Sequence, residues 1–159
     1  MALAADKKKP EPGPLLSLER IYVKNEFSSK GYSLKWLEPG QGYVRLEKSK
    51  ETKDAQDIVQ YDPATGKKKI LVAAKALIPK EAKKPIKLSG YTFTKDLAKM
   101  LIYTNSKRVW RRNTRGDYWV LDLASGKLQK LGGKAKASTL MFAKFSPTNS
   151  NQVAYVREK

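Results

Sequence analysis

The sequence predicts an all-β fold made of successive antiparallel sheets, with a short helix near the N-terminus. The main observation is a hairpin pattern at residues 117–131, in which strand-forming residues precede an Ala-Ser-Gly-Lys turn at 124–127. A matching pattern occupies residues 57–72, where an Ala-Thr-Gly-Lys turn at 64–67 precedes an apolar run. Two copies of one strand-turn-strand unit indicate a repeat architecture.

Composition sets limits on the size and partners of this fold. The 159-residue chain has room for one ordinary domain, and its 40% hydrophobic content is enough to form a core. The formal net charge of +18 makes nucleic acid, an anionic membrane surface or an acidic partner candidates. Most basic residues are lysines, whereas arginine is the side chain that grips phosphate through two hydrogen bonds. We therefore expect only nonspecific, salt-dependent adhesion to nucleic acid.

Cysteine and histidine are both absent from the sequence. Without cysteine there are no disulfides or thiolate metal ligands, and the redox compartment stays open. Without histidine there is no complete Ser-His-Asp triad, no histidine-ligated zinc and no imidazole acid or base in this chain. We expect no catalytic residue, metal or cofactor, and we interpret Asp54, Asp57 and Asp62 as strand-end and turn residues.

The N-terminal residues predict a tail and then the short helix. Residues 1–14 are rich in lysine and proline, which indicates a disordered basic tail. Residues 2–5 have the small side chains of a signal-peptide cleavage site, so both an exported mature protein and an ordinary polar tail stay open. Residues 15–22 have apolar side chains at helical spacing, and Ser17 is a candidate cap. No segment approaches the roughly 20 apolar residues of a membrane span.

Residues 32–72 predict the first set of four strands. Strands at 32–37 and 43–46 precede the hairpin at 57–72, and four short strands in sequence are the content of one β-propeller blade. Residues 73–87 interrupt this pattern with a helix-compatible piece. A basic cluster follows, interpreted as a solvated loop rather than a binding patch, and comprises Lys80, Lys83, Lys84 and Lys87.

A second blade is predicted at about residues 90–131, and the start of a third at about 139–158. Around the second strand of the second blade, Leu97, Met100 and Leu101 would equally suit a helical turn. Residues 15–159 would then form a partial propeller of about two blades plus the start of a third. Because an open propeller leaves strand edges exposed, we expect a homo-oligomer that forms through blade edges.

The order of these strands resembles the start of the β-propeller domain of dipeptidyl-peptidase-IV-like, prolyl-oligopeptidase-type serine peptidases. The resemblance runs from about Leu15 to Lys159, and its most specific element is a Trp-Arg pair in the second-blade loop. The segments that carry it are Tyr32-Ser-Leu-Lys-Trp, Asp57-Ile-Val-Gln-Tyr-Asp, Val109-Trp-Arg-Arg-Asn, Asp117-Tyr-Trp-Val-Leu-Asp-Leu, Phe142-Ala-Lys-Phe-Ser-Pro and Val153-Ala-Tyr-Val.

The resemblance implies a function for the protein to which this chain belongs. Members of the family are exported or cell-surface exopeptidases that remove an N-terminal dipeptide, using a Ser-Asp-His triad on a C-terminal α/β-hydrolase domain. Their propeller controls access and anchors the substrate, and an arginine directly after the tryptophan binds a substrate backbone carbonyl. That position is Arg111 in this sequence, after Trp110.

The chain lacks other functional elements of the family. The glutamate pair that holds the substrate amine and the Gly-x-Ser-x-Gly nucleophile elbow have no counterpart here. The resemblance therefore implies a non-catalytic, substrate-gating portion of a periplasmic or secreted serine dipeptidyl peptidase. The peptide substrate and the hydrolase domain would be its partners.

Two alternatives stay open at the level of sequence. Arg111 could be one more exposed base among Arg108, Arg112 and Arg115. The chain could also be a free-standing basic β-repeat module that binds nucleic acid or an acidic envelope polymer. A complete module should close or cap its sheet, whereas residues 153–159 resemble a strand that awaits its continuation.

Overall fold

The computed structural model describes residues 16–29, 31 and 33–158, in two compact units divided between residues 32 and 33. In the first unit, the predicted short helix is present as the helical turn Glu19–Val23. Ser17 Oγ accepts a hydrogen bond from Arg20 N at 3.2 Å, which satisfies an amide that lacks a partner at the start of a helix. The tail predicted at residues 1–14 lies outside the described residues.

The second unit begins with a four-stranded antiparallel sheet in which each strand pairs with the next. The predicted four-stranded set is thus present, although its first strand has only two residues. The strands are β1 (Lys35–Trp36), β2 (Tyr43–Lys48), β3 (Gln56–Tyr61) and β4 (Lys68–Val72).

A second antiparallel sheet follows, in the spatial order β10-β9-β7-β6-β5, with β8 beside β7. The long strand β7 has two partners on one edge, because residues 115–116 pair with β9 and residues 119–121 pair with β8. Strands β5 to β8 therefore form a second meander, and β9 and β10 open a further set. Their bounds are β5 (Gly90–Phe93), β6 (Lys99–Val109), β7 (Arg112–Asp122), β8 (Leu128–Lys130), β9 (Leu140–Phe145) and β10 (Val153–Arg157).

The two predicted hairpin turns have the same hydrogen bonding. Gly66 N donates to Asp62 O at 2.8 Å, and Gly126 N donates to Asp122 O at 2.9 Å. Both glycines have φ near +70°, at 67° and 68°, where a residue with a side chain is strained. Hydrogen bonds from a threonine hydroxyl in the first turn and from a serine N–H in the second hold the pKa of each aspartate below its ordinary value.

One cluster of buried side chains joins the facing sides of the two sheets. The first sheet contributes Val44, Ile58 and Val72, and the second contributes Met100 and Ile102 among others. The connection between the sheets adds the short helix Ala74–Leu77, as the helix-compatible piece predicted. The two sheets therefore pack face to face, as successive blades of a propeller do.

The second sheet is covered on both faces. Leu101, Tyr118 and Leu140 form a second buried cluster on the side away from the first sheet. Consecutive residues of β6 thus point alternately into the first and the second buried cluster. Its sequence is therefore apolar on both faces and does not alternate between apolar and polar residues. The helical alternative for Met100 and Leu101 is wrong, because both residues lie in β6. A strand buried on both faces cannot be told from a buried helix by its apolar pattern.

Candidate functional site

Strands β6 and β7 form a long hairpin arm with the predicted Trp-Arg pair at its tip. The strands pair from Lys99 with Asp122 at the base to Val109 with Arg112 at the end, which leaves Trp110 and Arg111 as the connection. Two-residue connections require a positive φ, and Trp110 supplies it with φ +58°. This backbone region is costly for a bulky side chain, and such residues often lie at functional sites.

Hydrogen bonds to backbone carbonyls hold the arm. Arg108 Nε donates to Trp110 O at 2.9 Å, which fixes the peptide unit that leads into Arg111. Tyr103 Oη lies 2.9 Å from Asn113 O and 2.8 Å from Arg115 O, across the arm. The pairing of β6 with β7 is irregular between residues 104 and 108, so these side-chain bonds act where the ladder is interrupted.

The base of the arm is tied to the next set of strands by the buried carboxylate of Asp117. One of its oxygens accepts a hydrogen bond from Ser138 N at 3.0 Å, and the other accepts one from Asn105 Nδ2 at 2.8 Å. Ser138 Oγ in turn donates to Asn105 O at 2.7 Å. This network holds the segment before β9 against β6.

Asp57 has a comparable position in the first sheet. It is buried near the start of β3, and its carboxylate accepts a hydrogen bond from Ala74 N at 2.7 Å. In each sheet, a buried aspartate therefore binds the backbone of the segment that leads to the next strands. The interpretation of Asp57 as a strand-end residue agrees with this contact, and Asp62 lies in the turn described above.

The arginines of the arm differ in their contacts. Arg115 forms an ion pair with Glu158, and Arg108 is bound to the tip backbone as described. Arg111 is exposed, and within the described part of the chain it has no hydrogen bond or ion pair. Trp110 beside it is 92% exposed. An exposed cation and an exposed indole thus stand together at the end of an ordered hairpin.

The described residues contain no group of metal ligands and no helix that could span a membrane. Within the described residues no group of three acidic side chains could hold a metal ion, so Asp54, Asp57 and Asp62 do not form such a group. None of the helical segments in this part of the chain has the length and apolar character needed to cross a membrane.

The sequence predicts the Trp110–Arg111 pair at the tip of the arm, but it does not predict the residues that support the arm. The contacts of Asp117 with Asn105 and Ser138 join residues distant in sequence, and their partners depend on the strand register. The recurrence of aspartate at the start of the third strand of each predicted set, at Asp57 and Asp117, was the available signal.

The arm falls within a stretch that matches a known family. Residues 94–159 match the model of the dipeptidyl peptidase IV (DPP IV) N-terminal region. This part of the chain is therefore similar to a DPP IV N-terminal region. Both Trp110 and Arg111 lie inside the matched stretch, as does the whole of β6 and β7.

Similar proteins extend the likeness over most of the chain. A probable dipeptidyl-aminopeptidase B of Sordaria macrospora is 27% identical over 154 residues, which is 92% of this chain and 16% of that protein. Dipeptidyl aminopeptidase B of Saccharomyces cerevisiae is 37% identical over 71 residues, 45% of this chain and 8% of that protein. The chain thus spans only a small part of the length of these relatives.

A solved structure supports the fold. Dipeptidyl peptidase 4 of Porphyromonas gingivalis matches with a TM-score of 0.64 and 21% identity, over 89% of this chain and 19% of that one. At this identity the match bears on the fold alone. Together with the two packed antiparallel meanders, it confirms the predicted class, an all-β propeller fragment with a short N-terminal helix.

Proposed function

We propose that the chain is the non-catalytic N-terminal propeller portion of a DPP-IV-like serine exopeptidase. It would gate access to the active site and help to anchor the N-terminal dipeptide of the substrate. The names of its relatives, which are dipeptidyl aminopeptidases, support this proposal. The bond-breaking chemistry would belong to a C-terminal α/β-hydrolase domain, since the present sequence has neither histidine nor a nucleophile elbow.

The observation that supports substrate anchoring most is the position of Arg111. Its guanidinium is exposed at the tip of the arm, and no described residue competes for its donors. The backbone behind it is held by the bond from Arg108 Nε to Trp110 O. A guanidinium is always charged and presents several N–H donors, so it is suited to bind a backbone carbonyl of a peptide.

Replacing Arg111 in the complete protein tests this role. We expect Arg111→Ala to lower kcat/KM for dipeptide-releasing substrates roughly 10- to 100-fold, because a hydrogen bond from a charged donor contributes about 1.5–3 kcal/mol. Steady-state kinetics with a chromogenic dipeptide substrate would measure the change.

Arg112→Ala is the matched control, since Arg112 is also exposed but is the first residue of β7. Its kcat/KM should stay close to that of the unmodified protein. An unchanged kcat/KM in Arg111→Ala, or an equal loss in both variants, would contradict the anchoring role.

We further propose that the whole protein is exported, to the periplasm or the medium, and that copies of the 159-residue chain by itself pair through their blade edges. The resemblance to an exported family supports the first of these. The exposed side chains of the outer strand β10, Tyr155 and Val156, support the second. Fractionation of cells that make the complete protein would contradict export if the protein stayed in the cytoplasm.

A further inference from the structure

A basic cleft lies between the β2–β3 connection and the segment that leads from the first sheet to the second. Its volume is 680 Å³, within the range of peptide and small-molecule sites. Part of its surface is apolar, from Leu77, Pro85, Ile86 and Leu88. Its charged lining consists of Asp54 and four lysines, Lys53, Lys83, Lys84 and Lys87. Lys83, Lys84 and Lys87 belong to the basic cluster that was interpreted from the sequence as a solvated loop.

The four cleft lysines are unpaired. Over residues 16–29, 31 and 33–158, none of them forms an ion pair or a side-chain hydrogen bond. The nearby Lys75 differs, because its Nζ lies 2.9 Å from Glu51 Oε2. Four cations around one concave surface repel each other and produce a positive potential, which an anion in the cleft would relieve.

The cleft lies at the same end of the sheets as the tip of the arm. The β2–β3 and β6–β7 connections each join the second and third strands of a meander, and the two meanders are aligned. Gln41 Nε2, in the β1–β2 connection, donates to Lys95 O, in the β5–β6 connection, at 2.9 Å. The first connections of the two meanders therefore meet at the end of the sheets opposite to the arm tip. Thr104 Oγ1 of β6 also donates to Lys87 O at 2.7 Å, which fixes the cleft wall to the arm.

We propose that this cleft binds an acidic segment of the peptide substrate, beyond the N-terminal dipeptide. This inference rests on the proposed peptide-binding function and adds a preference for substrates with glutamate or aspartate in that segment. Lysine ammonium groups on flexible stems suit carboxylates at variable positions, and the apolar lining suits the rest of a peptide.

Two other anionic partners fit the cleft less well. A single-stranded nucleic acid would need aromatic side chains for base stacking, and the described lining contains none. The lining also contains no arginine, the side chain whose guanidinium group binds phosphate through two parallel hydrogen bonds. A membrane surface is flat, whereas these lysines surround a concavity.

Binding of labelled peptides to the 159-residue chain tests the proposal. The probes are a fluorescein-labelled peptide of Ala-Pro followed by four glutamates and the same peptide with four glutamines, measured by fluorescence anisotropy at fixed salt. We expect the glutamate peptide to bind more tightly. The triple variant Lys83→Gln, Lys84→Gln, Lys87→Gln should weaken its binding roughly tenfold, at about 0.5 kcal/mol for each exposed charge.

A second triple variant provides the matched control. Lys67→Gln, Lys95→Gln, Lys127→Gln removes the same net charge from exposed turn residues at the opposite end and should leave binding nearly unchanged. Equal losses in both triple variants would overturn the proposal, because the attraction would then come from the overall charge. It would also be overturned if a single-stranded DNA oligonucleotide displaced the peptide and bound more tightly through the same three lysines.

The outcome of the peptide-binding test does not depend on the outcome of the Arg111→Ala kinetics. If kcat/KM does not change in Arg111→Ala but the glutamate preference depends on the cleft lysines, only the anchoring proposal fails. If Arg111→Ala impairs cleavage and the two peptides bind equally, only the cleft proposal fails.

Discussion

Tyr103 supports the arm from a position between two glycines on neighbouring strands. Its ring covers Gly116 of β7 on one side and lies near Gly90 of β5 on the other. A Cβ atom at Gly116 would lie 2.3 Å from Tyr103 Cε2 and 2.7 Å from Thr104 O. Both distances are shorter than van der Waals contact allows. The absence of a side chain at this position lets the tyrosine hydroxyl reach the carbonyls of the arm.

Alanine substitutions at the two glycines should therefore have different effects. We expect Gly116→Ala to lower the free energy of unfolding by about 1–3 kcal/mol, because the tyrosine and the adjoining backbone must move. Gly90→Ala, whose Cβ would lie 3.7 Å from Tyr103 Cδ1, should change it by less than about 0.5 kcal/mol. Urea denaturation of both variants measures this difference, and equal losses in the free energy of unfolding would contradict the proposed contact of Gly116 with Tyr103.

The sequence could predict the special residue at the tip but not this support. The Trp110–Arg111 pair is a local motif, and its placement in a second-blade loop follows from the strands around it. The contact of Tyr103 with Gly116 depends on which residues of β6 and β7 face each other, and the irregular pairing of the arm changes that register.

At the scale of elements, buried aspartates connect each sheet to the strands that follow. Asp117 is 7% exposed and binds both Ser138 N and the side-chain amide of Asn105. We expect Asp117→Asn to lower the free energy of unfolding by about 1–3 kcal/mol, because an amide N–H₂ would face the donor of Asn105. Thermal or urea unfolding would measure the loss.

Asp54→Asn is the control for this substitution. Asp54 is exposed, and its carboxylate makes no hydrogen bond to the described residues. Its replacement should leave the free energy of unfolding within about 0.5 kcal/mol of the original. A comparable loss in both variants would show that the buried network has no special role.

The elements themselves were largely predictable, and the main uncertainty has a physical cause. The two hairpin turns followed from the recurrence of Asp-x-Ala-Ser/Thr-Gly-Lys, which the structure shows to be a turn with bonded aspartate and left-handed glycine. The helical alternative near Met100 arose because β6 is buried on both faces, so its sequence lacks the alternation of a strand with one exposed face.

At the scale of the whole molecule, charge repulsion opposes the association of chains and an exposed strand edge favours it. The net charge of +18 keeps chains apart, whereas the outer strand β10 presents Tyr155 at 41% and Val156 at 50% exposure. Unpaired strand edges are templates for pairing with another chain. The sequence predicted the succession of strands but not which faces pack together, because face-to-face packing depends on twist and on contacts distant in sequence.

The proposed edge pairing makes the oligomeric state informative. We expect light scattering after size exclusion to show a defined dimer or larger species that persists at high salt, because salt screens charge repulsion but leaves backbone pairing intact. Tyr155→Lys should shift the population towards monomer, since an edge lysine opposes pairing. A monomer at every salt concentration would contradict pairing through blade edges.

The most direct test of substrate anchoring is a crystal structure of the complete protein with a bound, uncleaved peptide. We expect a guanidinium nitrogen of Arg111 to lie about 2.7–3.2 Å from a backbone carbonyl oxygen of the N-terminal dipeptide. A bound peptide whose N-terminus lies away from the tip of the β6–β7 arm, with that tip in solvent, would contradict substrate anchoring by Arg111.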